Sequence, residues 1–192
     1  ISNGATVMAA TLWTGDATSS RAINNGTNNN IGTTFKPDLV WVKARSGASN
    51  LSHIWIDSVR GANATLSSDQ TAAEYTLSTG VTAFNSNGFQ IGTWPNSSGQ
   101  TEVAWQWQAG QGSTSSNTNG SITSTVSVNA TAGFSIVTYT GNGSSGATVG
   151  HGLGVVPAMI ICKGRSGTAR AWYVKHVNLS SSNNLLLSGT DA

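Results

Sequence analysis

Gly32-Thr33-Thr34-Phe35-Lys36-Pro37-Asp38-Leu39-Val40-Trp41-Val42-Lys43-Ala44-Arg45-Ser46-Gly47 returns later in the chain as Gly152-Leu153-Gly154-Val155-Val156-Pro157-Ala158-Met159-Ile160-Ile161-Cys162-Lys163-Gly164-Arg165-Ser166-Gly167. The offset is 120 throughout, and the Gly, Pro, Lys, Arg, Ser and final Gly are kept. Composition alone could match Gly and Ser in so polar a chain, but not Pro, Lys and Arg in the same order. A repeat of this kind marks a repeated structural unit. At its centre, Leu39-Val40-Trp41-Val42 is apolar at every position, as expected of a central strand covered on both faces.

Working outward, Trp13-Thr14-Gly15-Asp16 matches Tyr139-Thr140-Gly141-Asn142, Trp55 pairs with Trp172, and Leu66 to Ala72 align with Leu186 to Ala192. The first copy then continues through Phe84-Asn85-Ser86-Asn87-Gly88-Phe89-Gln90-Ile91-Gly92 and Val103-Ala104-Trp105-Gln106-Trp107, for which the second has no counterpart. This predicts one full module over 1–110, a Gly/Ser/Thr/Asn-rich linker over 111–132 with one weak strand pattern at Ile122 to Val128, and a partial second copy over 133–192. A module without its closing strands exposes unpaired edges and apolar faces. The expectation is a polypeptide running beyond Ala192, or edges completed by another chain. The start at Ile1, without an initiator Met, points to numbering that begins inside a longer chain.

The strong segments alternate with period two, which puts alternate side chains on opposite faces of a strand. In Val103-Ala104-Trp105-Gln106-Trp107-Gln108, Val103 and both Trp share one face, expected to be the core face. Phe134 to Tyr139 and Ile54 to Val59 also have the character of strands, separated from others by turn signals such as Asn87-Gly88 and Gly141-Asn142-Gly143. Only Asp69 to Tyr75 has helical character, enough for one or two turns. The expected fold class is all-β: an antiparallel two-sheet sandwich of jelly-roll type.

Charged residues are 8% of the chain and the net charge is +2, while 38% of residues are hydrophobic. Disorder needs low hydrophobicity with high net charge, so the chain folds and owes its solubility to uncharged polar residues. Nine basic residues scattered singly exclude a nucleic-acid track, which requires clustering. No apolar run approaches a membrane span of ~18 residues. One cysteine excludes an internal disulfide framework, and Cys162, within Ala158-Met159-Ile160-Ile161-Cys162, is expected to be a buried small hydrophobe.

No catalytic constellation assembles. None of the seven acidic residues has an acidic neighbour at i±2 or i±4, as two carboxylates on one strand face would require. No Gly-x-Ser-x-Gly elbow accompanies His53, Asp57 and the many serines. No two histidines have metal-ligand spacing, and Asn28-Asn29-Asn30 is too poor in charge for calcium. The chain is therefore expected to be no enzyme and to need no cofactor or metal. Among binding candidates, Asp57 and Arg60 form either a ligand-facing pair or an ion pair closing a turn, the second favoured. Trp94, beside Pro95 and Asn96 in a loop, is the best exposed aromatic. Trp94, Asn96 and Arg60 are the candidate glycan contacts.

Asp57-Ser58-Val59-Arg60-Gly61-Ala62, Phe89-Gln90-Ile91-Gly92, Val103-Ala104-Trp105-Gln106-Trp107, Phe134 through Gly143 and His151-Gly152-Leu153-Gly154-Val155-Val156-Pro157 together resemble the repeated concanavalin A-like (LamG-like) domains of tailed-bacteriophage virion proteins, many from phages of marine or cyanobacterial hosts. The resemblance implies a jelly-roll fold and a place on the virion surface, in a tail fibre, capsid fibre or appendage. It further implies extracellular exposure, contact with other virion proteins and homotrimeric assembly. Attachment to a host surface glycan is the alternative role.

Overall fold

Along Met8-Ala9-Ala10-Thr11-Leu12-Trp13-Thr14, Ala9, Thr11 and Trp13 are buried and the residues between them exposed, which is the period-two signature of an edge strand with one face on a core. The computed structural model of the chain describes residues 3–26, 34–47 and 52–189. It is all-β; among the described residues the only helical turn is a 3-10 turn at Gly4–Thr6. The Asn28-Asn29-Asn30 run lies outside the described residues.

Among the described residues, nine strands build the first copy: β1 (Met8–Thr14), β2 (Arg21–Asn24), β3 (Leu39–Ala44), β4 (Ile54–Asp57), β5 (Ala64–Ser67), β6 (Tyr75–Thr76), β7 (Val81–Asn85), β8 (Gly88–Ile91) and β9 (Thr101–Trp107). A six-stranded sheet runs β1-β9-β3-β4-β5-β6, and a three-stranded sheet runs β2-β8-β7, all antiparallel. The two sheets form a sandwich around Trp13, Ile23, Val40, Val42, Ile54, Ile56, Val81, Phe89, Ile91 and Ala104. Strand β3 is central, as Leu39 to Val42 predict: Val40 and Val42 point into the sandwich, and Trp41 lies on the other face against Trp55 and Trp105. Gly88 opens β8 where β2 crosses closely; a Cβ there would sit 2.0 Å from the Ile23 carbonyl oxygen, and its φ of 149° belongs to the glycine region.

The parity of β9 is the reverse of the one expected. Ala104 lies opposite Thr11 and Val42, both inward, so Glu102, Ala104 and Gln106 face the sandwich while Trp105 and Trp107 face outward, half-buried. Two polar side-chain groups, the Glu102 carboxyl and the Gln106 amide, are on the inner face as a result. Gln106 donates to Thr11 Oγ1 at 2.8 Å, but neither carboxylate oxygen of Glu102 has a hydrogen-bond partner.

The 111–132 stretch, expected as a linker, carries β10 (Ser115–Asn117) and β11 (Ser124–Asn129). These join β12 (Phe134–Tyr139) in a three-stranded sheet, because Val126 and Ser124 pair with Val137 and Tyr139. The chain leaves the first sandwich at Ala109 to Gly112, where the buried Asp38 carboxylate accepts the backbone N–H groups of Ala109, Gln111 and Gly112 at 2.6–2.7 Å. The last sheet is β13 (Met159–Cys162), β14 (Tyr173–His176) and β15 (Leu185–Leu186). Its pairings repeat those of β3, β4 and β5: Val42 opposite Ile54 becomes Cys162 opposite Tyr173, and Trp55 opposite Leu66 becomes Val174 opposite Leu185. Ladder register thus equates Trp55 with Val174 rather than Trp172, and Leu66 with Leu185 rather than Leu186. Residues 69–75 form no helix; their backbone is used elsewhere, with Thr71 O accepting from Arg170 N and Glu74 N donating to Arg165 O.

Candidate functional site

Two features stand apart from ordinary packing, and both follow from the duplication. The first is an aromatic seam on the outer face of the six-stranded sheet. Trp105, Trp41 and Trp55 lie directly opposite one another on β9, β3 and β4, with ring centroids 5.6 and 5.1 Å apart. Trp172 continues the row at 5.2 Å from Trp55 and donates its indole N–H to Ser67 O at 2.9 Å; Phe134 stacks on Trp107 at 6.3 Å. The two copies therefore pack back to back through their tryptophan faces. Offset and tilted aromatic pairs of this kind add about 0.5–1.5 kcal/mol each beyond the area they bury.

Charged groups fasten the same seam. The Arg165 guanidinium makes a two-pronged contact with Glu74, Nε to Oε2 and Nη2 to Oε1, both at 2.9 Å. Lys163 Nζ donates to the carbonyl oxygens of Thr71 and Arg170. The Lys and Arg conserved between the repeats thus hold the second copy onto the first. Arg165 and then Arg60 keep the Glu74 carboxyl below its ordinary pKa. Between the copies remains a cleft of about 460 Å³, lined by Trp41, His53, Ser68, Asp69, Trp105, Trp107 and Leu187. The buried Trp41 indole N–H has no partner there, and burial lowers the His53 pKa against the opposing pull of Asp69.

The second feature is the inner face of the second copy. Counterparts of core residues stand open there: Val40 is 0% exposed and Ile160 51%, Ile54 0% and Tyr173 50%, Trp13 8% and Tyr139 47%. Cys162, expected to be buried, is exposed: among the described residues, no strands equivalent to the β2-β8-β7 sheet over its counterpart Val42 lie over it. Tyr139 Oη lies 3.9 Å from Cys162 Sγ, and that sulfur, more than burial, raises the tyrosine pKa.

The sequence-derived glycan contacts fall elsewhere, in two separate networks. Arg60, with a side chain only 2% exposed, binds Asp57 Oδ2 at 2.5 Å, Glu74 Oε2 at 2.9 Å and the carbonyls of Trp55 and Ala64. It closes the turn after β4, as in the favoured reading. Asn96 is fully buried; its Nδ2 donates to Asp16 Oδ1 and Thr18 O, and its Oδ1 accepts from Arg21 Nη1 and Asp16 N. Hydrogen bonds from Thr18 and Asn96 hold the Asp16 carboxyl at about 2. Trp94, expected as the exposed aromatic of its loop, is partly buried and packs against the sandwich core. The aromatics that do line an opening, Trp41, Trp105 and Trp107, were assigned to core positions by sequence. Their outward face could be seen only from the parity of β9 against its neighbours.

A family model described as "Domain of unknown function (DUF7483)" matches residues 4–192. The chain belongs to the DUF7483 family. The matched span takes in both copies of the module and the strands between them, so the DUF7483 unit includes the back-to-back seam and the open inner face. No curated protein and no solved structure matches the chain.

Proposed function

We propose that the chain is a non-enzymatic structural component of a bacteriophage virion surface, of the tail-fibre, capsid-fibre or appendage class its motifs resemble. It assembles with copies of itself, with a trimer favoured, and with other virion proteins outside the cell. The observation that carries this reading is the open inner face of the second copy, where Ile160, Cys162 and Tyr173 stand exposed in positions that are core in the first. Soluble monomers rarely leave a contiguous apolar sheet face uncovered, and such faces mark association surfaces. A surface that is only 8% charged offers salt little to screen, which suits a particle exposed to varied ionic strength. Multi-angle light scattering of the purified chain tests the reading. A trimer is expected; a monomer at every accessible concentration refutes self-assembly.

One observation favours a second reading, attachment to a host surface glycan. The cleft bounded by Trp41, Trp105 and Trp107 combines indole faces with the unpartnered Trp41 N–H and the Asp69 carboxylate. Aromatic faces and a few aimed polar groups are what a pyranose needs. A glycan array probed with the wild-type chain and Trp105→Ala decides it. Binding lost in the variant supports a glycan role, and an array with no retained sugar removes it.

A further inference from the structure

The inner face of β9 carries polar groups that the first sandwich leaves without partners. Thr11 of β1 lies opposite Ala104, so Glu102 and Gln106 are its two diagonal neighbours across the ladder. Such diagonal positions are about 7–8 Å apart, within reach of long side chains, and the small Ala104 side chain leaves the space between them open. Thr11 is 2% exposed, and Glu102 and Gln106 are 0% exposed. Gln106 Nε2 donates to Thr11 Oγ1 at 2.8 Å, which puts the amide carbon about 3.5–4 Å from the hydroxyl oxygen. Nucleophilic attack needs about 3–3.5 Å, a small side-chain rotation away. The Thr11 hydroxyl accepts that bond, and among the described residues its own proton has no acceptor. Three acceptor oxygens on the same face, Gln106 Oε1 and both of Glu102, are unpartnered. Buried polar groups without partners are rare in folded proteins, and a chemical role is one of the reasons they persist.

We propose that Thr11 and Gln106 join in a covalent ester that ties β1 to β9. Thr11 Oγ1 attacks Gln106 Cδ and gives up its proton. The Cδ–Nε2 bond breaks, and Nε2 takes up a proton and leaves as ammonia. Alcohol and amide become ester and ammonia, with no oxidant, reductant or further reactant. A Glu102 side chain turned along its diagonal reaches the hydroxyl and carries the proton. Burial raises its pKa to about 7, where a carboxyl both takes and returns a proton near neutral pH. Among the strands around it, β1, β7 and β8 carry no charged side chain, and Lys43 of β3 exerts the weaker, opposing pull. Arg21 of β2 is held by Thr14 O, Asn96 and Asp16, and Asp38, ahead of β3, by Ser58 and three backbone N–H groups. Release of ammonia into dilute solution draws the exchange forward, and the closed sandwich keeps out the water that hydrolyses esters. The bond fastens an edge, since β1 ends the six-stranded sheet and β9 is its neighbour there. In the second copy Val137, which has no nucleophile, stands in the place of Thr11. The step is internal to one chain and independent of its assembly.

Mass spectrometry of the full chain tests the bond. The expected wild-type mass is one ammonia below that of the sequence. Trypsin cuts after Arg21 and Arg60, so peptides 1–21 and 61–163 are expected to stay joined in denaturant; with no cysteine in 1–21, no disulfide can join them. Hydroxide separates the two with uptake of one water. Thr11→Val keeps the ammonia and yields separate peptides, and Thr11→Ser restores the link, with circular dichroism checking both folds. A wild-type chain of full sequence mass overturns the proposal. So does an ammonia lost within one peptide, as from an Asn-Gly step, while the two peptides separate. The part of Glu102 is read from chain refolded out of inclusion bodies. Ammonia loss is expected to accelerate as pH rises through about 7. In Glu102→Gln it is expected to be about a hundredfold slower, without that pH step. Equal rates and equal pH profiles in the two chains overturn proton transfer through Glu102.

Discussion

Glu102 has the least comfortable position of any side chain in the first sandwich. It is fully buried, without a hydrogen-bond partner, and desolvation raises its pKa from 4.5 to about 7 against the weaker pull of Lys43. Between pH 4.5 and 7 the folded chain keeps a proton that the unfolded chain has released, so this residue makes stability fall as pH rises through that window. The span corresponds to on the order of 3 kcal/mol. Urea unfolding at pH 5 and pH 8 checks it: the advantage of Glu102→Gln over wild type is expected to be larger at pH 8. Asp16 and Glu74, whose pKa values are lowered, act in the opposite sense and lower window, losing their contribution as pH falls below about 4. Arg60→Met provides a second test. It leaves the buried Asp57 carboxylate without its cation, a loss that costs about 3–5 kcal/mol and is read as a lower urea midpoint.

At the scale of elements, the question is what holds β13, β14 and β15 against the first sandwich. Trp172 is buried on Trp55 and bonded to Ser67, whereas the Arg165 side chain is 42% exposed. Trp172→Ala is expected to cost about 3–5 kcal/mol. Arg165→Ala removes a partly exposed pair, for which about 1 kcal/mol or less is typical. Hydrogen exchange of the β14 amides distinguishes them: strong loss of protection in the first variant, little in the second. That the second copy docks through its outer face is what leaves its inner face free. The identity of each strand was legible from alternation, and the duplication from Pro, Lys and Arg in fixed order. The inward face of β9 was not, because Val103, Trp105 and Trp107 are as apolar a set as any core stripe. Only pairing with Thr11 and Val42 selects the Ala104 face.

For the whole molecule, the proposed assembly through an apolar sheet face has a distinct salt signature. With so few charges on the surface, the oligomer measured by light scattering is expected to be nearly unchanged between 50 mM and 1 M NaCl, on the order of a twofold shift in dissociation constant at most. A strong weakening with salt would point instead to ion pairs at the interface. The candidate residues behaved differently at this scale from the motifs that suggested them. Sequence names Arg60 and Asn96 beside Trp94 as candidate glycan contacts, with a turn-closing ion pair the favoured reading of Arg60. The fold encloses both, since each satisfies several backbone and carboxylate groups that would otherwise be buried unpaired.

The amino-acid sequence by itself determined the all-β character, the duplication and the sparse charge. Those properties are written in local periodicity and in matched segments, and need no knowledge of neighbours. Tertiary structure alone decided which face of β9 is core, that Arg60 and Asn96 are enclosed, and that the copies meet back to back through tryptophan. It also decided that Cys162 is exposed although its run is apolar. Burial depends on what covers a face, and the covering elements lie far along the chain from the residues they cover.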